Sequence, residues 1–155
     1  MYFKRFSNRS VAISIVAIVI LFMTSGFFNK VAAQNGNVVW TQVVHMNAAQ
    51  AGSTSNSMGI AILRVTSDMQ LTCKILDQKI DAGDMLTNSH IHFGAPGANG
   101  SPFIFLAAGI QNLGKNVNIQ LTSSQFDELV NGTQPIYINV HSNFYPGGAI
   151  RGQIR

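Results

Sequence analysis

The chain has 155 residues, a formal net charge of +4 and one cysteine. The excess positive charge lies in the first 33 residues, because residues 34–155 carry six basic and six acidic side chains and are neutral overall. A neutral domain lacks the basic surface that releases counterions from phosphates, which excludes nucleic acid as a partner. About 120 residues are enough for one domain with its own core.

The N-terminal segment has the layout of a secretory signal peptide. Three basic residues precede an apolar run of 13 residues at 11–23, and the small residues "VAA" follow. This pattern predicts a signal peptide at 1–33, cleaved after Ala33, and an extracytoplasmic domain at 34–155. The alternative is an uncleaved membrane anchor, because the apolar run reaches 18 residues if it is extended through Phe28.

The remaining chain consists of short runs rich in β-branched and aromatic residues, separated by glycine, proline and asparagine turns. One short helix is predicted at 123–132, capped by Ser123 or Ser124 and closed by Gly132, while 47–58 is predicted as a connection. The pattern predicts an all-β antiparallel fold of seven or eight strands with one short helix, either a β-sandwich or a Greek-key barrel. The predicted strands are 37–46, 59–68, 70–77, 89–94, 102–108, 117–122, 135–142 and 149–154.

Cys73 alternates with Thr72 and Lys74 and shares a strand face with Leu71 and Ile75. Free cysteine packs as a small apolar group, so a buried and inert thiol is predicted. A single cysteine cannot form an internal disulfide, which leaves an intermolecular bond or a reactive thiol as the alternatives.

Three histidines form the candidate site. Because side chains alternate across a strand, His90 and His92 lie on one face of "SHIHFG", and His141 shares a face with Tyr137 and Asn139. If these two strands are neighbours, three imidazoles converge, and zinc or copper accepts such nitrogens at about 2.0 Å. The alternative is a set of histidines that only form hydrogen bonds within a half-buried sheet.

Other residues add little chemistry around these histidines. His45, near the end of the first strand, is a weaker candidate for a fourth ligand. The nearest carboxylate in sequence before His90 is Asp84, so no close neighbour would orient an imidazole. The chain has neither a Gly-x-Ser-x-Gly motif nor an evident carboxylate pair. The glycine-rich segment 94–100 lacks the Gly-Lys-Ser/Thr end of a phosphate loop, so its glycines are assigned to turns and no catalysis is expected.

Two long segments, "HIHFGAPGANGSPFIFL" and "GTQPIYINVHSNFYPGGAIRGQI", carry an ordered set of shared residues. Together they resemble the CHRD family, which is named after chordin and also occurs as single domains in exported microbial proteins. Two positions differ from the family pattern: Ser101 is inserted before Pro102, and Ala149 stands where the family usually has glutamate. The matching residues are His90, Ile91, His92, Gly94, Gly97, Asn99, Gly100 and Pro102, then Tyr137, Asn139, Val140, His141, Pro146, Gly148, Ile150, Arg151, Gly152 and Gln153.

The resemblance implies an extracellular β module whose biochemical role is not established in general. The first hypothesis is a secreted, non-catalytic module that binds an extracellular protein or surface ligand, or has a structural role, and needs no cofactor. The alternative is a copper- or zinc-binding protein that uses His90, His92 and His141. A distant likeness to copper–zinc superoxide dismutases does not predict that activity, because the further ligands and the disulfide expected there are missing. The residues assigned to the structural motif are Gly94, Gly97, Asn99, Gly100, Asn139, Arg151 and Gly152.

Arg151 has a separate prediction. In "AIRGQI" it lies on the strand face opposite Ile150, and a half-buried guanidinium needs hydrogen-bond acceptors. The backbone carbonyls of the 94–100 loop can supply them, so Arg151 is predicted to hold that loop and to be structural.

Overall fold

The structure is a computed structural model that describes residues 36–108, 112 and 114–155. The predicted signal peptide at 1–33, with its cleavage point after Ala33, lies outside the described residues. Among the residues described, no helix combines the length and the apolar composition needed to cross a membrane.

The all-β prediction is confirmed. The described part of the chain forms eight strands, and every strand pairing in it is antiparallel. The strands are β1 (Val38–Asn47), β2 (Met58–Thr66), β3 (Gln70–Lys79), β4 (Leu86–Phe93), β5 (Pro102–Ala108), β6 (Asn116–Gln120), β7 (Ile136–Ser142) and β8 (Ile150–Gln153).

All eight strands belong to one sheet, in the order β5-β4-β7-β8-β1-β2-β3-β6. The two edge strands, β5 and β6, also contact each other, so the sheet approaches a closed barrel. The neighbours β4 and β7 are far apart in sequence, as expected for Greek-key connections. This crossover brings "SHIHFG" beside "IYINVHS".

The described residues contain two short helices, where one was predicted. Helix α1 (Ala48–Ala51) lies in the segment predicted as a connection. It forms because the Asn47 side chain accepts a hydrogen bond from the Gln50 amide at 2.9 Å, and Gly52 ends the turn with a φ of 66°. These caps stabilise a turn too short to show a helical pattern in the sequence.

Helix α2 (Ser123–Asn131) is the predicted helix, but its N-cap is Thr122 rather than Ser123 or Ser124. Thr122 and Gln125 form a reciprocal capping box, in which each side chain accepts a hydrogen bond from the other residue's backbone amide. Gly132 ends the helix as predicted, with its amide donating to the Glu128 carbonyl.

The core lies on the inner face of the curved sheet. Ile136, Ile138 and Val140 of β7 are buried, as their alternation predicts, and Ile91 of β4 pairs with Ile138. The opposite face of the same two strands carries the histidines. The packing of the core therefore fixes the direction in which the imidazoles point.

Cys73 is buried, which confirms its predicted place in the core. Burial raises the pKa of its thiol to about 12. The nucleophilic thiolate is therefore nearly absent at neutral pH.

Candidate metal centre

The pairing of β4 with β7 brings the three predicted histidines together. In this register His90 lies opposite Asn139, and His141 lies opposite Asn88. The ring centroids of His90 and His141 are 5.0 Å apart, and those of His90 and His92 are 5.5 Å apart. One nitrogen from each ring lies within 4.8 Å of those of the other two.

Two backbone carbonyls determine which nitrogen of His92 and of His141 carries the proton and which carries the lone pair. His92 Nδ1 lies 2.9 Å from the Gly100 carbonyl oxygen, and His141 Nδ1 lies 2.8 Å from that of Pro146. A carbonyl oxygen only accepts, so both Nδ1 atoms carry a proton. In the neutral rings, Nε2 of each then carries the lone pair, which is the arrangement typical of histidines that bind metals.

These nitrogens belong to a half-buried cluster. His141 Nε2 lies 3.1 Å from His90 Nδ1 and accepts its proton when no ion is bound. For His90 Nδ1 to bind an ion, that proton has to move to Nε2 of the same ring. His92 is only 8% exposed, and its Nε2 has no hydrogen-bond partner among the described residues. A buried nitrogen without a partner costs about 1–3 kcal/mol.

The surroundings of His90 and His92 favour the neutral form of these two imidazoles. Burial lowers the pKa of His90, and the neighbouring rings of His141 and His92 lower it further. Burial also lowers the pKa of His92, partly opposed by its hydrogen bond to Gly100, while His141 and Arg151 add to the lowering. Protons therefore compete less for these lone pairs than for those of an ordinary histidine.

The spacing fits a shared ion if the side chains move closer together. Two nitrogens at about 2.0–2.1 Å from one ion lie no more than about 4.2 Å apart. The pair formed by His90 Nδ1 and His141 Nε2, at 3.1 Å, is within this limit. Two ligands of a tetrahedral ion lie about 3.4 Å apart, so a pair at the full 4.8 Å limit of this set would close by about 1.4 Å on binding.

His45, the weaker candidate for a fourth ligand, is not part of the cluster. Its side chain is exposed on β1, in register with Ile60 of β2. Among the described residues, the group that can share an ion consists of His90, His92 and His141, without a carboxylate.

The 94–100 loop positions His92 through the Gly100 carbonyl. A side chain at Gly100 would clash with the Phe93 carbonyl, and Gly97 has a φ of 79°, so both positions favour glycine. The residues of the structural motif are divided between three places: Gly94, Gly97, Asn99 and Gly100 are in or at the ends of this loop, Asn139 is on β7, and Arg151 and Gly152 are on β8.

Arg151 makes the loop contacts that were predicted. Its Nη1 donates to the Ala98 carbonyl and its Nη2 to the Ala95 carbonyl, each at 2.8 Å. Arg151 is buried, and its guanidinium carbon lies 3.3 Å from the centre of the Tyr137 ring. That ring in turn stacks on His92 at 5.0 Å. Arg151 is thus linked to the histidine cluster through both the loop and Tyr137.

A second turn, at 143–148, orients His141 and was not assigned from the sequence. Its Pro146 carbonyl accepts from His141 Nδ1, and its Gly147 carbonyl accepts from the Asn139 side chain at 3.0 Å. Buried Asp84 holds the start of this turn, because its Oδ1 accepts from the Phe144 amide at 3.0 Å. The only signal in the sequence was the turn composition "NFYPGG", which does not show what it contacts.

Fold and cluster together define the chain as an antiparallel β module with a patch of three imidazoles oriented by two backbone turns. The CHRD domain model matches residues 41–154, and the chain belongs to the CHRD family. This match covers both motifs and confirms the resemblance drawn from them. Comparisons with curated proteins and with solved structures give no match.

Proposed function

We propose that this protein is an extracytoplasmic β module that binds one copper or zinc ion through His90, His92 and His141. The observation that carries the proposal is the free Nε2 of His92, which is buried and has no hydrogen-bond partner among the described residues. A bound ion would accept this lone pair and remove the cost of leaving it unpaired.

The ligand set supports copper or zinc over harder ions. Imidazole nitrogens suit zinc and copper, whereas calcium and magnesium require oxygen ligands. The carbonyls of Gly100 and Pro146 hold the Nδ1 protons of two ligands, as partners of metal-binding histidines usually do. From sequence alone, a module without a metal was the first hypothesis. The closeness of the three nitrogens supports the metal-binding alternative instead.

The wider role proposed is binding rather than catalysis. Cys73 is buried and its raised pKa removes it as a nucleophile. The N-terminal pattern at 1–33 supports export, after which the domain would meet an extracellular protein or surface ligand.

The proposal is tested by calorimetric titration of Cu²⁺ and Zn²⁺ into the purified, chelator-treated protein, with elemental analysis of the product. We expect one ion per chain with a dissociation constant of micromolar or tighter, which corresponds to about 8 kcal/mol. Binding weaker than micromolar for both ions would contradict this function and would favour the hypothesis of a module that binds no metal.

Replacement of Asp84 by alanine is expected to weaken ion binding without removing a ligand. It frees the Phe144 amide and loosens the turn whose Pro146 carbonyl orients His141. Loss of such an indirect support typically reduces metal affinity about 10-fold or more. Asp84→Asn, which keeps an acceptor oxygen, should retain most of the affinity. The exposed Asp127→Ala is the control, and equal affinities in all three variants would contradict the role of Asp84.

A further inference from the structure

We propose that the ion held by the three histidines keeps one coordination position open to a neighbouring polar cavity and binds a small oxyanion there. This inference rests on the proposed function. It adds the class of exogenous ligand that the loaded site would accept.

The cavity adjoins the cluster on one side. It has a volume of about 410 Å³, and its lining includes His90 and His141 but not the buried His92. Sites for small molecules commonly have about 300–1,000 Å³. An ion between the three rings is therefore reached from the side of His90 and His141, while His92 closes the other side.

Three protein ligands leave room for a fourth. Zinc sites that keep a position for water or substrate typically have three protein ligands, whereas closed structural sites have four. The described residues supply three nitrogens and no carboxylate to the cluster. The fourth position is thus left for a ligand that enters through the cavity.

An irregularity in the sheet lies at this cavity. The pairing of β4 with β7 shifts register between Leu86 and Asn88, so Thr87 is left between two paired positions. Such bulges re-aim side chains and are frequent beside functional sites. Here the bulge places Thr87 and Asn88 at the cavity, next to His90.

The charge and the donors of the site favour an anion. Neutral imidazoles do not reduce the charge of a divalent ion, and Arg151 adds a positive charge that already acts on His92. The polar side chains that line the cavity beside the two histidines are neutral: Thr87, Asn88, Ser142 and Asn143. Asp84 is near in the fold but does not line the cavity, and its Oδ1 accepts from two backbone amides.

Hydroxyl and amide groups are suited to oxygen atoms bound to the ion. Thr87 offers a hydroxyl donor, and Asn88 and Asn143 each offer two amide donors. Ser142 is buried and its hydroxyl already accepts from the Tyr145 amide. A carboxylate or phosphate oxygen could coordinate the ion while its other oxygens accept hydrogen bonds from these groups. A cation would meet repulsion, and an apolar ligand would leave the donors unpaired.

The test uses the visible spectrum of the Co²⁺-loaded protein, because the bands of this ion respond to a change of ligand. Formate, acetate and phosphate are titrated separately, and bound cobalt is measured in the same samples. We expect a saturable spectral change with formate or acetate. Asn88→Ala and Asn143→Ala should weaken anion binding by about 2- to 10-fold each, the loss of one hydrogen bond. The exposed amide of Asn131 on α2 provides the matched control, Asn131→Ala.

The outcomes separate the two proposals. Cobalt binding without a spectral response to any of these anions would overturn the open position and leave the metal site standing. A response that is equal in Asn88→Ala, Asn143→Ala and Asn131→Ala would place the anion outside this cavity and also overturn the inference. Failure of the protein to bind cobalt, copper or zinc would overturn the proposed function, and this inference with it.

Discussion

Replacement of His92 by alanine is expected to lower copper or zinc affinity by at least about 100-fold. Loss of a group that only supports a ligand already costs about 10- to 100-fold, and His92 would be a ligand itself. It is also the most buried of the three rings, and its Nε2 has no other partner among the described residues. The measurement is a calorimetric titration of each ion into the variant and the parent protein.

Two controls separate ligand loss from unfolding. His45→Ala removes an exposed histidine outside the cluster and should leave ion affinity unchanged. His92→Phe keeps an aromatic ring beside Tyr137 but removes both nitrogens, so it should lose affinity as His92→Ala does while retaining more of the stacking. A folded His92→Ala protein with unchanged affinity would show that this ring is not a ligand.

Replacement of Arg151 by alanine is expected to cause the largest loss of stability. It removes two hydrogen bonds to the loop and the contact with the Tyr137 ring, and it leaves the Ala95 and Ala98 carbonyls without these donors. Losing hydrogen bonds from a charged group together with a desolvated cation–π contact should lower the free energy of unfolding by about 2–4 kcal/mol. The thermal midpoint should fall by on the order of 10 °C.

Arg64 provides the matched control for this experiment. It is an exposed arginine on β2, so Arg64→Ala should change the free energy of unfolding by less than about 0.5 kcal/mol. Arg151→Lys keeps the charge but lacks the planar guanidinium that donates to both the Ala95 and the Ala98 carbonyl. The stability of this variant should therefore lie between that of the parent protein and that of Arg151→Ala. A midpoint for Arg151→Ala within about 1 °C of the parent would contradict the structural role.

From the sequence, only the strand faces on which the three histidines lie could be predicted, through the alternation of side chains. It placed His90 and His92 on one face and His141 on a comparable face of a later strand. Whether those faces meet depends on the adjacency of β4 and β7, which are separated in the chain by β5, β6 and α2. Adjacency of that kind is set by the packing of the whole sheet, and periodicity within a strand does not encode it.

The supports of the histidines were less accessible to sequence analysis. Arg151 was assigned to the 94–100 loop because a buried guanidinium needs acceptors and that loop has free carbonyls. Tyr137 stacks on His92, which lies 45 positions earlier in the chain. Asp84 accepts from the Phe144 amide, which lies 60 positions later, in the 143–148 turn. No local pattern marks such contacts.

Small local structures were missed for a different reason. Helix α1 has four residues, too few for a hydrophobic period, and exists because Asn47 and Gly52 cap it. The N-cap of α2 was placed one or two residues late, since three consecutive hydroxyl residues, Thr122, Ser123 and Ser124, can all cap a helix. Gln125 decides between them, because it completes a capping box only with Thr122.

The most direct test of the metal site is an anomalous difference map from a crystal grown with copper or zinc, recorded at the absorption edge of that ion. We predict one peak at about 2.0–2.2 Å from His90 Nδ1, His92 Nε2 and His141 Nε2. A peak only at other positions, or no peak beside these three nitrogens in a crystal grown well above micromolar metal, would contradict the account.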